Sequence, residues 1–164
     1  MNDRLHQSTR QTGLQPVLRS GRLEIDAIAV HHLSGPPLAH VVRHDGKTIV
    51  FAGDQSFLSE DFAEVLRGSQ PDILVMHNVI SLAEGQPRGL HRDNRSIGQA
   101  AKALSPKLLM LSHNMQRALR DQVNDSAAIG ENYTGAMVIA ADLDCFAIER
   151  ASPPDVPYRY SGLG

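Results

Sequence analysis

Tryptophan is missing from this 164-residue chain and aromatics make up only 4% of it, so a core has to be built from Leu, Ile, Val, Ala and Met. Cysteine is reduced to Cys145. A lone thiol excludes an intrachain disulfide and a cysteine-rich zinc site. No apolar run reaches membrane-spanning length, and the opening residues MNDRLHQSTRQTGLQPVLRS lack the apolar stretch of a signal sequence. The expectation is a cytoplasmic protein with no membrane partner. Neither sign of charge dominates: the formal net charge is -2, which gives no general attraction to nucleic acid. Basic residues are scattered, and the few aromatics make no stacking platform for bases.

What is present is the composition of one ordinary soluble domain, 41% hydrophobic and 21% charged. Residues 1–22 read as a polar N-terminal segment with room for a short helix in DRLHQSTRQ. RLEIDAIAVHH alternates through Leu23, Ile25, Ala27 and Ala29, the pattern of a strand with one buried face. AHVVRHDGKTIVFAG reads as two strands joined at Asp45-Gly46, a strong hairpin signal. The pattern then changes to helices alternating with short apolar strands. SEDFAEVLRGS has Ser59 as its cap candidate, and NRSIGQAAKAL has Asn94 as cap with Ile97, Ala100, Ala101 and Leu104 on one face. DILVMH and KLLMLSH have the look of buried strands, and AMVIAAD and DCFAIE close the domain as two more. Residues 23–150 therefore form an α/β layered domain, with a Pro- and Gly-rich tail at 151–164.

Polar residues stand where these strands run out. His31 and His32 end the first, Asp54 follows IVFAG, and His77 and His113 end the two buried strands. His91 and Asp93 lie in the polar loop before a helix. Ligands gather at strand ends in α/β sheets, and imidazole and carboxylate are the groups that hold Zn²⁺, Mn²⁺ or Fe²⁺. A single strand-end histidine has a simpler reading as a hydrogen-bonded residue, and no tight ligand motif such as H-E-x-x-H is present.

Taken in order, the segments from Leu23 to Ile148 resemble the C-terminal half of metallo-β-lactamase-fold hydrolases, in particular the branch of ribonuclease Z and arylsulfatase-like enzymes. AVHHLSGPPLAHVVRHDGKTIVFAGDQ follows that family's V-x-H strand, turn and S-G-D-T strand end. DILVMHN stands for D-L-L-V-H-E, LHRDNRSIGQAAKALSPKLLMLSH for the histidine loop, helix and L-S-H strand, and YTGAMVIAADL for the closing strand. The resemblance implies half of an αββα sandwich, a mixed sheet with helices on one face. It implies metal ligation by His32, by Asp54 as the carboxylate bridging two ions, and by His113, with His91 as a catalytic residue that is not a ligand. His77 and Asp93 become candidates for supporting positions. A complete site of this kind holds two divalent ions, zinc first with manganese or iron as alternatives, and acts on a phosphodiester or another small or nucleotide-like ester.

The departures are equally specific. The family's upstream H-x-H-x-D-H signature has no counterpart in the sequence, Gln55 replaces the usual Thr, and Met76-His77 replaces the His-Glu pair. Two explanations are expected to account for this: the N-terminal half lies outside this chain, or the chain completes its site as a homo-oligomer. Alone it would be weakly active or inactive. The alternative function is a non-catalytic α/β binding or assembly module derived from the same fold.

Overall fold

A computed structural model describes residues 13–32, 37–56, 59–85 and 89–148, and the pairing of residues 158–159. Seven strands make one mixed sheet: β1 (Gln15–Ser20), β2 (Leu23–Ala29), β3 (Leu38–His44), β4 (Lys47–Phe51), β5 (Ile73–His77), β6 (Leu108–Ser112) and β7 (Ala136–Ile139). Their spatial order is their order in the chain. β1 to β4 are antiparallel neighbours, and the β3–β4 turn has Asp45 at φ 50° and Gly46 at φ 73°. These left-handed values are those of the primed turn that suits the twist of a hairpin. β4 to β7 run parallel, so each needs a crossover. The crossovers contain α1 (Glu60–Val65), α2 (Asn94–Leu104), and the pair α3 (Gln116–Arg120) and α4 (Gln122–Gly130).

The core lies between the sheet and these helices. Ile28, Val41, Val50, Leu74 and Leu109 face Phe62 of α1, Ile97, Ala101 and Leu104 of α2, and Ile129 of α4 in one buried cluster. The other face carries a row that crosses all seven strands, Leu18, Ile25, Val42, Ile49, Ile73, Leu108 and Ala136. A second row runs through His40, Phe51, Val75, Met110 and Val138, with Phe51 43% exposed.

Several local expectations change. Residues 15–20, within the polar N-terminal segment, form an edge strand. The helix expected in DRLHQSTRQ lies outside the described residues. In β2 the helix-facing side is Asp26, Ile28 and Val30, the opposite parity from the expected apolar stripe. Asp26 is accommodated there because Arg19 and Arg43 both pair with it. Ser59 precedes α1 but makes no capping bond, because its Oγ accepts the His31 N–H at 2.7 Å. Asp93, one residue before the expected cap, caps α2 by accepting the Ser96 N–H at 2.9 Å. The expected last strand is a short piece, β8 (Asp144–Cys145), which pairs with β9 (Tyr158–Arg159) inside the expected loose tail. Among the described residues no helix is long and apolar enough to cross a membrane.

Candidate metal centre

The parallel half of the sheet brings the ends of β4, β5 and β6 to one edge, and Asp54, His77 and His113 meet there. Gly53 makes the turn out of β4. Its φ of +66° is a left-handed value, and a Cβ there would stand 3.0 Å from the Leu38 carbonyl oxygen. The Gly-Asp pair after an apolar strand is thus a backbone requirement that projects Asp54 over the sheet edge. His77 and Ser112 are register partners, which puts the last residue of β5 beside the last of β6. His113 follows at φ 50°, an uncommon conformation for a residue with a side chain.

His77 Nδ1 lies 2.7 Å from Asp54 Oδ1, His91 Nδ1 3.5 Å from the same oxygen, and His113 Nε2 3.9 Å from it. The imidazoles also touch one another edge to face. Ring centroids are 5.0 Å apart for His32 and His91, 4.9 Å for His77 and His113, and 6.1 Å for His91 and His113. Burial raises the Asp54 carboxyl, but the His77 hydrogen bond and the surrounding imidazoles outweigh it and hold the group below the ordinary value. Burial lowers His91; Asp54 opposes this and the neighbouring imidazoles add to it.

Asp54, His77 and His113 each offer one ligand atom, all within 4.8 Å of one another. Around a tetrahedral zinc, ligand atoms stand about 3.4 Å apart, and the 2.7 and 3.9 Å separations from Asp54 bracket that value. The donor set, two imidazole nitrogens and a carboxylate oxygen, suits Zn²⁺, Mn²⁺ or Fe²⁺. His91 Nδ1 is buried and has no hydrogen-bond partner among the described residues, an atom able to accept an ion or a proton at the rim.

The structure therefore gathers His32, Asp54, His77, His91 and His113 in one place. It puts His77, considered above only as a supporting residue, among the atoms that can reach an ion. Asp93 follows His91 by two residues and its Oδ1 caps α2. His31 turns away, its Nδ1 2.9 Å from Ser56 Oγ. Supporting residues that sequence reasoning passed over lie beside this group. Asn94 Nδ2 donates to Asn78 Oδ1 at 3.1 Å, Asn78 Nδ2 to Asn114 Oδ1 at 3.0 Å, and Asn114 Nδ2 to the Ala140 carbonyl at 2.7 Å. Asn78 and Asn114 directly follow His77 and His113, and that adjacency was the available signal. A cavity of about 510 Å³ opens beside His113, lined by Asn114, Leu119, Ile139 and Asp142 among others.

No protein-family model matches the sequence, and no sequence match is found among curated proteins. Solved structures do match. The metallo-β-lactamase fold protein YhfI from Bacillus subtilis is similar over 77% of this chain and 48% of its own, at 22% identity and a TM-score of 0.63. CmlA, a diiron β-hydroxylase from Streptomyces venezuelae, is similar over 78% of this chain and 32% of its own (15% identity, TM-score 0.59). The short form of human tRNase Z is similar over 65% and 41% (18% identity, TM-score 0.51). The chain spans less than half the length of each of these three proteins. Its mixed sheet, with helices on one face and the histidine-rich edge at the strand ends, is one half of a metallo-β-lactamase sandwich.

Proposed function

We propose that this chain is part of a metal-dependent hydrolase, acting on a phosphodiester or another ester. The observation that carries this reading is the Asp54 carboxylate, approached within 2.7, 3.5 and 3.9 Å by nitrogens of His77, His91 and His113. Asp54, His77 and His113 hold the first ion, zinc before manganese or iron. A second ion would lie toward His32, whose ring packs against His91. Divalent ions in such a site lower the pKa of bound water and polarise the attacked oxygen.

The chain's own residues supply the remainder. Asp54 keeps its negative charge at neutral pH and so neutralises the ions. The asparagine relay fixes the two strand-end histidines. His91, whose Nδ1 stands 3.5 Å from Asp54 Oδ1, would donate a proton to the leaving oxygen as its bond to the attacked centre breaks. The cavity beside His113 receives the part of the substrate beyond the scissile bond.

The ligands supplied here are fewer than a two-ion site needs. We infer that the apolar sheet face bearing Phe51 is covered in the working enzyme by the complementary half of the sandwich, from a longer chain or from a second copy. The second reading, an assembly module without catalysis, is favoured by the exposure of that same face. Elemental analysis after dialysis against zinc and manganese separates the two. About one tightly held ion per chain, lost in Asp54→Ala and kept in His91→Ala, is the expected result, and the phosphodiester or ester hydrolysis that appears once the complementary half is supplied should be abolished by His91→Ala. Absence of bound metal in the lone chain would mean that these residues are part of a site whose other half is missing, and absence that persists with the complementary half supplied would sink the hydrolase reading in favour of the module.

A further inference from the structure

Arg92 follows His91 and is only 7% exposed. Burying a guanidinium is costly unless its donors are satisfied, so the partners of this one are informative. Its backbone N–H donates to the Gln55 carbonyl at 2.9 Å. Its Nε donates to Gln55 Oε1 at 2.9 Å and its Nη2 to the Ser59 carbonyl at 2.8 Å. All three acceptors are neutral oxygens, so the arrangement does not serve to pair charges. Gln55 is itself 3% exposed and turns its amide nitrogen back to the Ala52 carbonyl at 3.0 Å, across the Gly53-Asp54 turn.

Ser59 extends the connection to the first strand end. Its Oγ accepts the His31 N–H at 2.7 Å, and the Ser56 N–H donates to the His31 carbonyl at 2.8 Å. Three segments that belong to distant parts of the sequence are thus tied at one buried side chain. They are the end of β2 with His31 and His32, the turn with Asp54, and the loop with His91. We propose that Arg92 is a positioning residue for the metal centre, holding the His91 loop against the Asp54 turn through Gln55 and against the His32 strand end through Ser59. The planar fork of arginine reaches two acceptors at fixed angles, which a lysine ammonium on a flexible stem does not reproduce.

This inference rests on the metal-centre reading, and its test keeps the two apart. Arg92→Met, Arg92→Lys and the double variant Gln55→Leu/Arg92→Met are compared with the full wild-type chain. The exposed Arg95→Met serves as a control, since Arg95 pairs with Glu131 on the surface. Two quantities are read on folded protein: Co²⁺ affinity by chelator competition with the visible Co²⁺ spectrum, and amide hydrogen exchange of the metal-free chain. Loss of a group that orients ligands typically weakens metal binding about 10- to 100-fold. A loss in that range, with an altered Co²⁺ spectrum and at least about tenfold faster exchange at residues 54–56 and 90–93 than in wild type, is expected for both Arg92 variants.

The double variant is decisive because it removes the buried charge together with its main side-chain acceptor. Thermal stability should recover relative to Arg92→Met, while metal affinity and loop exchange stay at the defective level. If the double variant binds Co²⁺ as wild type does and its loops exchange as in wild type, Arg92 is a packing residue and the proposal falls. If wild type itself takes up no Co²⁺, the metal-centre reading fails, and loop exchange alone decides whether Arg92 ties the three segments.

Discussion

Gly53 and Asp54 show how one residue's backbone decides what its neighbour can do. A side chain at position 53 would be strained at φ +66° and would crowd the Leu38 carbonyl. Gly53→Ala is expected to cost about 1–2 kcal/mol in urea unfolding and to weaken metal binding, whereas Gly46→Ala, with open space around it, should leave metal binding intact. Asp72 illustrates the opposite end of the sheet. It is 4% exposed and accepts from Lys107 Nζ and the Thr48 N–H, both at 2.8 Å. Burial raises its carboxyl, but Lys107, the Thr48 N–H and Lys47 together hold it below the ordinary 3.8. A depressed carboxyl contributes stability that is present above the unfolded value and lost as pH falls through the folded one. Asp72→Asn should therefore destabilise by about 2 kcal/mol at pH 7 and much less in strong acid, a difference that urea midpoints at the two pH values would register. His32, His77, His113 and Asp54 were legible as polar residues ending apolar runs. The burial of Arg92 and Gln55 was not, because nothing in a sequence marks a charged or polar residue as buried. Asp26 misled for the same reason: a buried carboxylate within β2 inverts the apparent parity of the strand.

At the scale of elements, α2 owes its seat to a missing side chain. A Cβ at Gly98 would stand 2.5 Å from the Ile129 carbonyl oxygen in α4, a backbone atom that cannot swing aside. Gly98→Ala gains helix propensity but should lose about 1–3 kcal/mol overall by forcing α2 and α4 apart, as thermal unfolding would measure. Period and punctuation made α2 and the buried strands β5 and β6 readable from sequence, since the Ile97-Ala100-Ala101-Leu104 stripe faces the core as its spacing requires. Elements held mainly by pairing were not readable. β1 has Val17 and Leu18 49% and 41% exposed and no alternation of burial, so only its ladder with β2 defines it. Ser59 stays at the start of α1 without a capping bond because its Oγ accepts the His31 backbone N–H, and the α2 cap moves to Asp93 while the Asn94 side chain bonds Asn78.

For the whole molecule, the two faces of the sheet predict different responses to the same kind of change. Leu74 and Leu109 are 0% exposed against the helices, while Phe51 on the opposite face is 43% exposed. Leu109→Ala should cost about 2–5 kcal/mol. Phe51→Lys should change stability by less than about 1 kcal/mol and reduce self-association seen in sedimentation velocity, because it places a charge on an apolar patch. Equal association of Phe51→Lys and wild type would mean that this face is not sticky. The layered α/β class followed from the order of strand and helix patterns. The asymmetry between faces was implied by the family resemblance and not by the patterning, since both faces carry Val, Ile, Leu and Met at strand spacing.

The order of strands in space, identical to their order in the chain, also bears on how the protein is made. Each strand that leaves the ribosome can dock on the edge of the one before it, and no earlier strand has to wait for a distant partner. A nascent chain that has emerged through β5 already contains Asp54 and His77, and their contact can form. The centre closes only when β6 has been laid down and His113 swings out of its last turn. If the proposed centre takes an ion, its capture is a late event of synthesis, coupled to docking of the sixth strand, and scarcity of metal should hold back that final step more than the early growth of the sheet.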